Sequence, residues 1–148
     1  PATTLLYGLH EALDMLRAEG LPQVFARHRR LAAATRAAVQ AWGLEFVCQD
    51  EAARSDALTA VLAPPGHSAD ALRKVILDRY DMSLGQGLGR LSDKAFRIGH
   101  LGDFNDLSLC GTLAGVEMGL AAAGVPHRRG GAQAAIDFLA QPVAAPAA

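Results

Sequence analysis

An α+β fold is what this chain of 148 residues predicts, with a small, mainly antiparallel sheet and helices packed on one face. Three observations lead there. The chain opens and closes in stretches whose apolar residues recur three and four apart, the period of an amphipathic helix. The runs between them are short and β-rich, bounded by Gly and Pro. The resulting order is helix, helix, strand, strand, helix, one or two strands, helix, helix. A length of 148 fits one domain with a single core, and no internal repeat divides it.

Leu6, Leu9, Leu13 and Leu16 share one face of the first helix, with Thr3 or Thr4 placed to cap it and Gly20 to end it. Pro22 then sits where a first helical turn tolerates it, and Val24, His28, Leu31, Thr35, Ala38 and Trp42 mark a longer helix closed by Gly43. Its polar side carries Arg27, Arg29, Arg30 and Arg36, which reads as a solvated face. Leu44–Cys48 alternates and reads as a strand, as does Leu58–Leu62 before Ala63-Pro-Pro-Gly66 stops it. Ser68 is an N-cap for a short helix through Leu72, Val75, Ile76 and Arg79. The segment from Met82 to Gly102 holds one or two further strands. Asn105 or Asp106 caps a helix with its core face at Leu109, Leu113, Val116 and Leu120. Gly111, Gly115 and Gly119 recur along that helix and predict close packing on the sheet. A last short helix spans about Ala132 to Leu139, so the domain is expected over 1–139, with a disordered Ala/Pro tail over 140–148.

Bulk properties narrow the function classes. Fourteen basic against fifteen acidic residues give a net charge of -1, which argues against nucleic-acid or anionic-membrane binding. No apolar run approaches a membrane span, no signal peptide is visible, and the expected location is the cytoplasm. Cys48 and Cys110 lie far apart, match no metal or redox spacing, and read as reduced thiols. The five histidines share no metal-ligand spacing, so no metal site is expected.

The leading candidate for a functional residue is Arg97. It stands between Phe96 and Ile98 in a short apolar strand, so its side chain lies on the face opposite theirs. If that face is covered, the guanidinium needs an anionic partner, and its planar fork suits a carboxylate. Glycines 85, 87, 89, 99 and 102 flank it and permit sharp turns or close backbone approach. The Gly85-x-Gly87-x-Gly89 run lacks the context of a dinucleotide fingerprint and is either a cleft lining or a flexible turn. His100, next to the arginine strand, is either a ligand neighbour or a core-edge residue. Asp103 and Asp106 are placed to pair with Arg97 or to cap the next helix, the cap being favoured. Cys110 reads as core. Neither Lys74 nor Lys94 has the apolar setting that lowers an amine pKa for Schiff-base work, so no catalytic group emerges from these residues alone.

Three segments together resemble one family: the opening Pro1-Ala-Thr-Thr-Leu-Leu-Tyr-Gly-Leu-His-Glu-Ala-Leu13, the turn Gly87-Leu-Gly89, and Phe96-Arg-Ile-Gly-His-Leu-Gly102. In this order they look like the C-terminal part of class V, fold type I aminotransferases, among them the serine–glyoxylate and alanine–glyoxylate enzymes. The resemblance implies the small domain of a homodimeric enzyme that uses pyridoxal 5′-phosphate and takes amino-acid and 2-oxo-acid substrates. It implies that Arg97 grips the substrate carboxylate. It also implies that the cofactor, its Schiff-base lysine and its ring contacts belong to a large domain outside this sequence, so these residues should not transaminate alone. The other reading is a non-catalytic, free-standing α+β module that binds or dimerises.

Overall fold

The computed structural model describes residues 2–142. Five α-helices accompany a three-stranded antiparallel sheet, in the order α1 (Thr3–Glu19), α2 (Leu21–Trp42), β1 (Leu58–Leu62), α3 (Ala69–Tyr80), β2 (Gly85–Gln86), β3 (Ala95–Gly99), α4 (Asp106–Ala122) and α5 (Gly131–Leu139). The sheet runs β1-β3-β2, so the arginine strand is central. Register pairs Ala60 with Arg97 on one side and Gly85 with Arg97 on the other. The expected disordered tail over 140–148 lies outside the described residues from 143 onward.

Strand alternation sets up the core. Val61, Phe96 and Ile98 point to the helical side and are fully buried with Leu31, Trp42, Leu72, Ile76, Leu109, Leu113 and Leu120. The opposite face carries Ala60, Arg97 and Gly85, all half-buried. Two helix starts are fixed by side-chain caps, and a third by a carboxylate from a neighbouring helix. Ser68 accepts the Ala71 amide to cap α3, and Asp93 from the β2–β3 connection accepts the Ser68 hydroxyl and the Asp70 amide, tying that connection to the helix. Asn105 caps α4 by accepting the Ser108 amide at 2.9 Å. Glu117 on α4 accepts from the Trp42 indole at 3.0 Å and from the amides of Gly130 and Ala132 at 2.6 and 2.8 Å, which locks the start of α5 against α2 and α4. Burial pushes its carboxyl up, but those donors outweigh it and hold it below the usual range.

Four expectations change. Leu44–Cys48 is not a strand but a single bridge, Phe46 to Val61, with Val47 and Leu62 amides bonded to Ala60 and Glu45 carbonyls at 3.0 and 2.8 Å. Its chain turns away toward the short turn at Glu51–Ala53 before a second bridge can form. At α1 neither threonine caps: the N-cap is Ala2 and makes no side-chain bond. The basic side of α2 is not simply solvated. Arg27 binds Glu19 and the Gly102 and Phe104 carbonyls, Arg30 binds Asp106 and the Leu139 carbonyl, and Arg36 binds Asp56 and the Ser55 carbonyl, leaving Arg29 exposed. Gly115 and Gly119 of α4 pack on α3 and its exit rather than on the sheet, and Gly111 faces open space: a Cβ at Gly119 would collide with Ile76, one at Gly115 would meet Met82 at 2.8 Å, and one at Gly111 would meet nothing within 4 Å.

Helix α1 stands apart, with no buried residue. Its Leu5, Leu6, Leu9 and Leu13 are 73%, 60%, 55% and 43% exposed, and Leu21 and Phe25 at the start of α2 are exposed as well. No helix among the described residues is long and apolar enough to cross a membrane.

Candidate functional site

Six arginines are half-buried: 27, 30, 36, 54, 73 and 97. Five of them have a carboxylate within 4.0 Å, namely Glu19, Asp106, Asp56, Glu51 and Asp70 in that order. Arg97 has none among the described residues. Its Nε donates to the Gln86 carbonyl at 2.9 Å, and among the described residues neither Nη group has a protein partner. A fold that neutralises every other half-buried guanidinium leaves this one with two parallel N–H vectors to offer, the arrangement that binds a carboxylate bidentately.

The surroundings explain how the chain holds it. Phe96 and Ile98 anchor the strand in the core, which fixes Arg97 on the other face by alternation alone. Its cross-strand neighbours are the two smallest residues, Gly85 and Ala60. A Cβ at Gly85 would sit 3.0 Å from Arg97 Cβ and 3.1 Å from its Nε, so glycine is what lets the guanidinium lie across the edge strand. Gly87 is glycine for a different reason: a Cβ there would strike the Leu91 carbonyl. The glycine run therefore serves packing at one position and clearance for the arginine at another. Only Arg97, as the residue they serve, was legible beforehand; the strand pairing that places Gly85 opposite it was not.

The remaining candidates fall away from this centre. Asp106 pairs with Arg30 at 2.5 Å and Asp103 is exposed, so neither meets Arg97. His100 is fully buried, its Nε2 3.0 Å from Thr59 Oγ1 and its Nδ1 without a hydrogen-bond partner. Burial pushes its imidazole down to about 4, the Asp56 backbone opposing, so it is a neutral core histidine. Cys110 packs against the core and Cys48 is half-buried, both free thiols. Among the described residues no group of three or more His, Cys, Asp or Glu side chains gathers as a metal site.

No protein-family model matches the chain. Individual proteins do. It is 48% identical over 140 residues to serine–glyoxylate aminotransferase of Arabidopsis thaliana, covering 94% of this chain and 35% of that protein. Against L-aspartate–glyoxylate aminotransferase of Paracoccus denitrificans the identity is 40% over 146 residues, covering 98% of this chain and 37% of that one. The solved pyridoxamine–pyruvate aminotransferase of Mesorhizobium loti superposes with a TM-score of 0.87 at 33% identity, over 94% of this chain and 36% of its own. The chain belongs to the class V aminotransferases. It spans about a third of the length of the relatives it matches.

Proteins of this family use pyridoxal 5′-phosphate, and the lysines here do not fit a Schiff base with it. Lys74 is exposed on α3 and paired with Asp78 at 2.8 Å. Lys94 is exposed in the turn before β3. Neither lies in the desolvated pocket that keeps an amine unprotonated.

Proposed function

We propose that this chain forms the carboxylate-binding small domain of a pyridoxal-phosphate-dependent aminotransferase that passes an amino group from serine or alanine to glyoxylate. The observation that carries this is Arg97, the one half-buried arginine among the described residues that the fold leaves without a carboxylate. The three relatives named above differ in donor, whereas each names a 2-oxo acid, glyoxylate or pyruvate, as acceptor. A site built around one free guanidinium matches what those acceptors share, an anionic carboxylate beside the reacting carbonyl.

In this reading Arg97 binds and orients. Two N–H···O bonds to one carboxylate fix the plane of the acid and hence the side from which its carbonyl is approached. The cofactor and the lysine that carries it belong to a large domain, in a cytoplasmic homodimer, and no chemical step is taken by a residue of this chain. The apolar face of α1 supports such an assembly, since a helix with Leu5, Leu6 and Leu9 more than half exposed gains by being covered.

The test is Arg97→Ala in the intact enzyme. Binding of the amino-acid donor is expected to weaken by about 2–5 kcal/mol, as for the loss of a desolvated charge pair, while visible absorbance of the bound cofactor is unchanged. Equal loss of donor and cofactor would remove the carboxylate role.

A further inference from the structure

The guanidinium of Arg97 is not centred between its two neighbouring strands. It leans over β2, where Gly85 has no side chain to displace it and the Gln86 carbonyl takes its Nε–H at 2.9 Å. A guanidinium has two edges that match a carboxylate, one formed by Nε with an Nη and one formed by the two Nη groups. Here the first edge is already spent on the protein backbone. We infer that Gly85 and the Gln86 carbonyl are a rest that turns Arg97 so that it takes the substrate carboxylate end-on, through Nη1 and Nη2 alone, and that Gly85 is a positioning residue for binding.

The geometry makes the role specific to position 85. An added Cβ would lie 3.0 and 3.1 Å from Arg97 Cβ and Nε, tighter than ordinary packing, and 3.4 Å from Cζ. Relief can come from the arginine swinging off β2, which gives up the bond to Gln86 and moves both Nη groups together. On its other flank the cross-strand residue is Ala60, short enough to leave room for that swing. Gly99, the next residue on the same face of β3, meets only the far end of Leu101 at 4.0 Å and so has no comparable tie to Arg97.

This inference rests on the carboxylate role proposed for Arg97, and its test separates the two. In the intact enzyme, KM for glyoxylate and kcat are measured for the parent, Gly85→Ala, Arg97→Ala and the double variant. Gly85→Ala is expected to raise KM about tenfold, the cost of forcing one side chain off its rotamer and its hydrogen bond, with kcat changed by less than about twofold. In the Arg97→Ala background the same substitution should change KM no further, because a residue acting only through Arg97 has nothing left to act on. An equal rise in both backgrounds, or no rise in the parent, overturns the positioning role and leaves the carboxylate role standing. An unchanged KM for Arg97→Ala by itself overturns both. If Gly85→Ala does not fold, Arg97→Lys serves: it retains the charge but has neither an Nε to rest on Gln86 nor a planar pair to offer. Its KM should then approach that of Arg97→Ala, and a KM equal to the parent's overturns the inference.

Discussion

Side-chain charge in a half-buried setting needs a partner, and the partner shows what a residue is for. Arg30 and Arg36 on α2 find carboxylates at 2.5 and 3.0 Å and so fasten helices to loops. Arg97 is held by a backbone carbonyl at Nε and left open at its Nη groups, which suits recognition better than structure. His100, three residues on, makes the opposite case. It is buried neutral, its imidazole pushed down to about 4 chiefly by desolvation. The unfolded chain, with an ordinary histidine near 6.5, binds a proton in the window where the native chain does not, so stability falls as pH drops from about 6.5 to about 4 and levels off below. The loss is expected to be at most about 3 kcal/mol. Urea midpoints measured from pH 7.5 to 4 should show a slope that His100→Asn flattens; an unchanged slope would mean that His100 does not carry it.

At the level of the element, α4 offers a comparison within one helix. Gly119 faces Ile76 of α3 with no room for a Cβ, whereas Gly111 has nothing within 4 Å. Gly119→Ala should cost about 1–3 kcal/mol through overpacking. Gly111→Ala should add about 0.5–1 kcal/mol by removing backbone entropy from the unfolded chain. Chemical denaturation of the two variants checks this, and equal effects would contradict the α3–α4 packing. The glycine spacing was readable from the sequence, but not the partner, because periodicity fixes a face without naming what lies against it. The same limit runs through the rest. Leu58–Leu62, the Ser68 cap and the strand of Arg97 were all legible, since each depends on neighbours in the chain. Leu44–Cys48 was not: alternation of side chains is necessary for a strand, yet only one pair there meets β1 before the chain bends away. The pairing of Gly85 with Arg97 was beyond reach for a related reason, since it depends on the register of a two-residue edge strand.

For the whole molecule, one core of helices on a sheet leaves two features outside it among the described residues, the half-buried sheet face with Arg97 and the exposed apolar side of α1. In the 148-residue chain, α1 has no buried residue to hold it, so its amides should exchange with solvent far faster than those of β3 or α4. Protection of α1 equal to that of α4 would show that the helix is stabilised by something other than a partner surface. The central claim is that Arg97 reads a carboxylate, and the most direct measurement is the binding of glyoxylate against its uncharged methyl ester in the intact enzyme. The parent should prefer the acid, and Arg97→Ala should lose that preference by weakening the acid alone, the ester binding as before. A preference for the acid that survives the substitution, or an equal weakening of both, would contradict the claim.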